Sequence, residues 1–319
     1  MWNVIECAGH PRDLGFQQGL AQRSAIRQRA EQVGLSTRRN RWPSLAGFTS
    51  GGVRGSGNAR AMIRHFTHLS ERADGLARGA GVPVDSILLL QSAEGPDKEG
   101  ALGLCSLGPG NEPGAILARS LSASPWLVRR SRPEVGFVSL EVTEAWSVSA
   151  LAGINEAGLA ACFVPTRTQT PPPVREPAPG GPGAASANLF VQECLQRFEE
   201  IEAALDWCLN RPAAGAGTIL LADASDHRGA VHFSSGAREV EQAVGEPLLA
   251  GGSDSAREKA RAWALSQSSE ADGSLGHVIG GQVIGGQAES LVVRLDCAQR
   301  KLELGQGEGQ GPMLSLRVD

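Results

Sequence analysis

The stretch on which the interpretation of this chain depends is Gly103-Leu104-Cys105-Ser106, within residues 101–127, ALGLCSLGPGNEPGAILARSLSASPWL. It follows an Arg-rich third of the chain with helical patterning. It precedes short apolar or alternating runs typical of strands, the first being VGFVSLEVTEAWSVSALAGINEAGLAACFVP at residues 135–165. A single cysteine at such a junction is a candidate nucleophile whose partners come from elsewhere in the fold. A single cysteine is usually a small buried apolar residue, so the surrounding pattern has to decide between a core position and a nucleophile.

The composition is that of an ordinary soluble globular protein, with 41% hydrophobic and 20% charged residues in a chain of 319. A net charge of −4 gives no reason to expect nucleic acid or anionic lipid as a partner. Residues 1–6 lack the basic start and apolar core of a signal peptide. No window approaches the ~18 apolar residues of a membrane span. We therefore expect a cytoplasmic protein with no membrane partner.

Cysteine and histidine spacing gives no metal or cofactor motif. His65 and His68 lie three apart on a predicted helix, but no third ligand is near them in sequence, so we expect surface or boundary positions. Cys194 and Cys208 lie on a helical apolar stripe and are predicted to pack in the core. We expect reduced thiols. The cysteines stand far apart, without a CxxC pair, at positions 7, 105, 162, 194, 208 and 297.

The first third is predicted to be helical after a short strand-like start. Pro11 and Asp13 suit a helix start. Gly15 and Gly19, four apart, would let another backbone approach one helix face; the alternative is that both are merely tolerated, at about 1 kcal/mol each relative to Ala. A second amphipathic helix is predicted to end near Gly79 or Gly81, and Pro83 begins a short third one.

The remainder alternates strand runs with helices. Residues 188–212 are the clearest helical segment, and residues 255–266 form another. Residues 225–228 and 296–300 are predicted to be hairpin turns. The sum predicts an α+β protein.

We expect one domain over residues 1–319, with the Pro/Gly-rich residues 166–187 as a loop inserted in it. Two unrelated domains joined by that stretch are the less favoured alternative. The Gly-rich residues 280–287, GGQVIGGQ, are predicted to be a loop or sheet edge, because no phosphate-binding motif surrounds them.

The order of these segments resembles the acyl-coenzyme A:6-aminopenicillanate acyltransferase-like family of N-terminal nucleophile (Ntn) cysteine hydrolases. No single motif is specific, but their order and spacing extend over most of the chain. The segments that carry the resemblance are AGHPRDLGFQQG (8–19), DSILLLQSAEG (85–95), LCSLGPGNEPGAILARSLS (104–122), AGINEAGLAACF (152–163), AGTILLADASDHRGAVHFS (216–234) and LLAGGSDSAREKARAWAL (248–265).

The resemblance implies a four-layer αββα sandwich of antiparallel sheets, made as a precursor. Cleavage before Cys105 would give a helical chain 1–104 and a chain 105–319, which would remain each other's partners. A free α-amine titrates near ~8 and can take the proton of its own thiol, so nucleophile and base occupy one residue. The implied substrate is a small acyl amide, lactam or acyl thioester that forms an acyl-Cys105. No cofactor is implied, although acyl-coenzyme A is a conceivable substrate.

The same resemblance assigns the site residues. Arg119 and Asn155 match family positions. Ser122 stands where the family has a carboxylate for the new α-amine. Gly252, in Gly251-Gly252-Ser253, stands where the family has the Asn of a Thr-Asn-His segment that donates to the oxyanion. Loss of one such donor costs roughly 3 kcal/mol of transition-state stabilisation.

Two hypotheses follow from the sequence. The favoured one is a self-cleaving cysteine amidohydrolase or acyltransferase, because Cys105 is kept. The alternative is an uncut, catalytically degenerate relative that acts as a binding or scaffold protein, which Ser122 and Gly252 favour. The sequence leaves the substrate and the oligomeric state open.

Overall fold

The computed structural model describes residues 3–37, 62, 64–92, 101–107, 114–121, 126–165, 185–214, 216–234, 237–243, 246–266, 291–306 and 314–319. Within these residues seven helices accompany an eight-stranded and a six-stranded sheet. The predicted α+β class with mainly antiparallel sheets is confirmed. Ser122, residues 166–184 of the predicted loop and residues 280–287 lie outside the described residues.

The eight-stranded sheet has the strand order β1-β4-β5-β6-β7-β10-β11-β12. Every neighbouring pair is antiparallel except β1 with β4. A parallel pair needs a crossover connection, and the described part of this one contains four helices and two strands of the other sheet. The strands are β1 (Asn3–Gly9), β4 (Trp126–Pro133), β5 (Ser139–Glu144), β6 (Ala152–Asn155), β7 (Ala160–Pro165), β10 (Gly217–Ala222), β11 (Arg228–Phe233) and β12 (Arg238–Gln242).

The six-stranded sheet has the order β13-β2-β3-β14-β15-β16 and is antiparallel throughout. A short parallel pair, β8 (Ala185–Ser186) with β9 (Ala213–Ala214), stands apart from both sheets. The strands of the six-stranded sheet are β2 (Leu102–Leu107), β3 (Ala115–Leu121), β13 (Leu248–Gly251), β14 (Leu291–Asp296), β15 (Lys301–Gln306) and β16 (Leu314–Arg317).

The helices lie on the outer faces of the two sheets. They are α1 (Pro11–Ala21), α2 (Arg23–Gln32), α3 (Thr67–Ala80), α4 (Val84–Ser92), α5 (Leu189–Arg197), α6 (Ile201–Asn210) and α7 (Asp254–Ser266). The predicted starts and ends hold where glycine and proline set them: Pro11 opens α1, and Gly81 closes α3 in the left-handed conformation at φ 71°. No helix in the described parts of the chain is both long and apolar enough to cross a membrane.

The apolar residues divide into layers that confirm the αββα sandwich. The largest core lies between the eight-stranded sheet and helices α2 to α6. A second core fills the space between the two sheets, with Cys105, Leu117, Leu140 and Leu220 among its members. Smaller clusters, which include Leu104 with its neighbours and α7, cover the outer face of the six-stranded sheet.

Helices α1 and α3 cross through facing glycines, as the spacing of Gly15 and Gly19 predicts. A Cβ atom added to Gly15 would lie 1.9 Å from the Arg72 carbonyl oxygen, and one added to Gly75 would lie 1.9 Å from the Arg12 carbonyl oxygen. Gly19 and Gly79 make the same kind of contact one turn along. The two backbones therefore approach as closely as glycine alone allows.

The single helix predicted over residues 188–212 is wrong, because the chain forms two helices. Phe198 and Glu200 are extended, with φ/ψ of −122°/146° and −123°/150°. Side chains distant in sequence form hydrogen bonds with the backbone carbonyl and amide groups that would have bonded to each other in a continuous helix. Asn155 Nδ2 donates to the Leu195 and Phe198 carbonyl oxygens at 3.0 and 2.8 Å. Asp223 Oδ2 accepts from the Ile201 amide at 3.4 Å.

Strands from both sides of residues 166–184 share the eight-stranded sheet. β7 pairs with β10 over the whole of both strands, from Pro165 opposite Gly217 to Ala160 opposite Ala222. The turns predicted at residues 225–228 and 296–300 are hairpin connections, between β10 and β11 and between β14 and β15.

Candidate active site around Cys105

Cys105 lies in the middle of β2, an interior strand of the six-stranded sheet. It stands opposite Leu248 of β13 on one side and opposite Leu117 of β3 on the other. Its side chain belongs to the core between the two sheets and is 0% exposed. The Sγ atom lies 3.8 Å from the Leu221 carbonyl oxygen of the facing sheet, a weak contact of the kind that thiols make.

The strand runs without interruption through the predicted cleavage point. Leu104 lies opposite Leu249 and Ala118, so the residues on both sides of the Leu104–Cys105 bond are flanked by partner strands. Leu104 faces α7 and Cys105 faces the other sheet, as successive strand residues do. In the intact chain the Cys105 nitrogen is therefore a peptide nitrogen within a sheet.

Arg119 shares the inner face of the sheet with Cys105. It lies directly opposite Gly103, and Cys105 lies opposite Leu117, so Arg119 and Cys105 are diagonal neighbours at about 7–8 Å. Arg119 is 0% exposed although it carries a guanidinium group. Its charge opposes the effect of burial on the pKa of Cys162, which places it among the thiols of this layer.

The electrostatics of the site keep its thiols protonated. Burial raises the pKa of Cys105 far above its ordinary value; the guanidinium of Arg228 opposes this, and Cys162 and Asp223 add to it. Burial likewise raises the pKa of Cys162 to about 12. Because thiolate is the nucleophilic form, burial lowers the fraction of Cys105 that is ready to react in the intact strand.

Asn155 is not brought together with Cys105. It ends β6 and points toward the helices, on the opposite face of the eight-stranded sheet from the inter-sheet core that holds Cys105. Its Oδ1 accepts from the Ala157 and Leu159 amides at 3.1 and 2.9 Å, while its Nδ2 donates to two carbonyl oxygens. All four hydrogen-bonding positions of the amide are in use, so in this geometry it has none left for an oxyanion.

Gly252 is also displaced from Cys105, at the far end of β13. Its amide donates to the Ala101 carbonyl oxygen at 3.0 Å. It follows Gly251, which lies opposite Leu102, three residues or about 10 Å along the strand from Cys105. Gly251 and Gly252 have φ of 69° and 67°, and a Cβ on Gly251 would lie 2.1 Å from the Ala101 carbonyl oxygen. A tight backbone turn accounts for these two glycines.

Asp223 and Arg228 are residues near Cys105 that the sequence analysis did not select. They flank the turn between β10 and β11, and both are buried, at 2% and 4% exposure. Both act on the pKa of Cys105, and Arg228 Nη1 donates to the Glu246 carbonyl oxygen at 3.0 Å. A signal was present in LLADASDHRG, where charged residues directly end and begin two apolar strands.

His65 and His68 are both partly exposed, as predicted for boundary positions, and His68 Nε2 contacts the buried carboxylate of Glu193. Cys194 and Cys208 lie in the helix-facing core with their sulfur atoms 3.7 Å apart, so their predicted role in core packing is confirmed.

No protein-family model matches the chain, and no curated protein matches it. Among solved structures, a mutant of conjugated bile acid hydrolase from Clostridium perfringens aligns with 68% of this chain and 92% of its own, at 9% identity and a TM-score of 0.46. Penicillin V acylase from Agrobacterium tumefaciens aligns with 66% and 84%, at 15% identity and a TM-score of 0.43. The Caenorhabditis elegans ortholog of N-acylethanolamine-hydrolyzing acid amidase aligns with 62% and 93%, at 10% identity and a TM-score of 0.41.

Proposed function

We propose that this chain is a cysteine amidohydrolase or acyltransferase that is activated by cleavage before Cys105 and acts on a small acyl amide, lactam or acyl thioester. The observation that carries the proposal is the position of Cys105. It lies on an interior strand of an αββα sandwich and faces the space between the sheets, where Arg119 and Arg228 are also buried. The sequence resemblance of residues 104–122 to an Ntn nucleophile segment supports the same assignment.

Cleavage would begin with attack of the Cys105 thiol on the Leu104 carbonyl carbon. The peptide C–N bond breaks, a thioester forms, and the nitrogen keeps the thiol proton as part of the new α-amine. Water then hydrolyses the thioester and releases the Leu104 carboxylate and the free thiol. The new amine titrates near ~8 and takes over the role of base that no described side chain fills beside Cys105.

Turnover would use the same two groups on substrate. The amine accepts the thiol proton, the sulfur attacks the acyl carbonyl carbon, and the ammonium returns the proton to the leaving nitrogen or sulfur. The acyl group leaves Cys105 by transfer to water in a hydrolase, or to an amine in an acyltransferase, for which acyl-coenzyme A would be a fitting donor. The guanidinium groups of Arg119 and Arg228 supply positive charge in the layer where the oxyanion would develop.

Cleavage would also change what the site can bind. The Gly252 amide and the inner edge of β13 pair with residues 101–104. Gly103 packs there against Val164 and Leu220, since an added Cβ would lie 2.7 Å from each. Withdrawal of residues 101–104 would free backbone donors and an apolar space next to Cys105. This movement offers oxyanion donors that neither Asn155 nor the intact strand provides.

The intact mass of the purified full-length protein, with N-terminal sequencing of any fragment, tests the proposal. We expect two chains, the second beginning at Cys105, in the wild type and in Cys162→Ala, whose thiol lies in the same layer. We expect one chain in Cys105→Ala. The processed protein is then assayed on acyl amides, β-lactams and acyl thioesters, and Cys105→Ala must be inactive. One uncut wild-type chain, or equal activity in Cys105→Ala, contradicts the proposal.

The second candidate function is an uncut binding or scaffold protein, and the unbroken ladder around Leu104 favours it. Alkylation of the native protein distinguishes the two. In an uncut scaffold, iodoacetamide at pH 8 leaves Cys105 unmodified until the protein is unfolded, because the thiol is buried and its pKa is raised. Rapid alkylation of Cys105 in the native protein, located by peptide mass mapping, excludes the uncut scaffold.

A further inference from the structure

Three metal-ligating side chains meet where the turn between β10 and β11 contacts the start of α6, at Glu202, Asp223 and His227. His227 Nδ1 lies 3.1 Å from Asp223 Oδ2 and 3.7 Å from Glu202 Oε1. One ligand atom from each of the three lies within 4.8 Å of the other two. Asp223 also belongs to the surroundings of Cys105, but the arrangement is present in the intact chain and needs no cleavage.

The cluster combines one fixed carboxylate with two accessible groups. The Asp223 side chain is 3% exposed, while those of His227 and Glu202 are 54% and 55% exposed. Asp223 Oδ1 accepts from the Ser225 and His227 amides at 2.8 and 3.2 Å, which holds the carboxylate in place. Its Oδ2 faces the imidazole, and the exposed groups leave an approach from solvent.

We propose that Glu202, Asp223 and His227 form a binding site for a divalent transition-metal ion of the zinc class. Zinc binds imidazole nitrogen and carboxylate oxygen at 2.0–2.2 Å, and tetrahedral ligands at that distance are about 3.3 Å apart. The separations of 3.1 and 3.7 Å in the cluster bracket this value. Two carboxylates with a neutral imidazole also match the charge of the ion. Water would complete the shell at the exposed side.

The donor set selects among metals. An imidazole ligand suits zinc, cobalt, nickel and copper, whereas magnesium and calcium prefer oxygen ligands alone. The sequence spacing of the three residues gives no metal-binding motif, because Glu202 belongs to a helix and the other two ligands belong to a hairpin that packs on it. Only the fold brings them together. The inference goes beyond the proposed function and does not depend on it.

The test is a titration of the full-length protein after treatment with a chelator. Isothermal calorimetry with Zn²⁺ and absorption spectroscopy with Co²⁺ are expected to show one saturable site. Because the ligands are nitrogen and oxygen, bound Co²⁺ should show weak d–d bands without intense sulfur charge-transfer absorption. Glu202→Gln and His227→Ala should each weaken binding by more than about tenfold.

His232 provides the matched control. It lies on neighbouring β11 with Nε2 3.2 Å from Glu241 Oε2, so it is a histidine paired with a single carboxylate. His232→Ala should bind metal as the wild type does. Glu202→Gln alters an exposed side chain, so circular dichroism and thermal unfolding should show a folded protein. Absence of saturable binding overturns the site, as does binding that is unchanged in both Glu202→Gln and His227→Ala or that shows sulfur charge transfer.

Discussion

At the scale of single residues, three charged side chains are buried together in the core. Arg72, Arg129 and Glu141 lie in the layer between the helices and the eight-stranded sheet, and each is at most 1% exposed. Arg129 Nε donates to Glu141 Oε2 at 2.5 Å, and its other nitrogens reach Gln18 and Gln192 at 2.6 and 2.8 Å. Arg72 lies farther away, with Nη2 4.0 Å from the same carboxylate oxygen.

These contacts give the two arginines unequal roles. Burial alone would raise the pKa of Glu141, but Arg129, Arg72 and hydrogen bonds from Ser139 and Gln192 hold it below its ordinary value. Burial and the like charge of Arg129 lower the pKa of Arg72. Within the described residues, Arg72 Nε and Nη1 have no hydrogen-bond partner. One guanidinium therefore neutralises the carboxylate, and the other is a surplus buried charge.

We expect Arg129→Met to destabilise the protein by about 3–5 kcal/mol, because it leaves Glu141 buried without its closest partner. We expect Arg72→Met to be neutral or stabilising by about 1 kcal/mol, because it removes the surplus charge and keeps the packing volume. Urea unfolding followed by circular dichroism gives both free energies of unfolding. Equal losses in the two variants would show that Arg72 is as necessary to the network as Arg129.

At the scale of helices and strands, the crossing of α1 and α3 depends on glycine. On helix propensity alone, Gly15→Ala should stabilise α1 by about 1 kcal/mol. The added methyl group would instead lie 1.9 Å from the Arg72 carbonyl oxygen, which belongs to rigid backbone. The clash is larger than the propensity gain because two helices have to move apart to relieve it.

Gly15→Ala is therefore expected to lower the free energy of unfolding by about 1–3 kcal/mol or more. Gly305→Ala is the control, because no atom of the described residues lies within 4 Å of the position of its added Cβ. Thermal and chemical unfolding of the two variants, compared with the wild type, measure the difference. A Gly15→Ala protein more stable than the wild type would rule out the close crossing.

At the scale of the whole molecule, segments distant in sequence are held in common sheets. β1 of the first segment pairs with β4 over seven residues, from Asn3 opposite Leu127 to Gly9 opposite Pro133. β7 pairs with β10 across residues 166–184. Each of the two large sheets thus contains residues from more than one part of the chain. The unity of residues 1–319 as one domain can be tested through that connection.

We expect a chain cut within residues 166–184 to remain one particle. A specific protease site introduced there gives two fragments, which should elute together in size-exclusion chromatography under native conditions and separate in denaturant. The physical reason is that the cut leaves the β7–β10 ladder and the core between the sheets in place. Fragments that separate and stay folded in native buffer would instead support two domains.

The sequence alone determined the features that depend on local pattern. Alternating and apolar runs give the strands, Pro11 and Gly81 limit two helices, and the spacing of Gly15 and Gly19 predicts that another backbone can approach α1. These features could be predicted because the residues that cause them are neighbours along the chain. The αββα order and the position of Cys105 on a strand followed from the resemblance of whole segments.

The tertiary structure alone decided the features that depend on distant partners. It broke the predicted helix at residues 198–200, because Asn155 and Asp223 supply the backbone hydrogen bonds there. The tertiary structure also placed Asn155 on the helix-facing side of its sheet, and strand pairing brought Arg119 beside Cys105. Cross-strand register and helix packing join residues up to 43 positions apart in these contacts, and no local preference encodes which of them will meet.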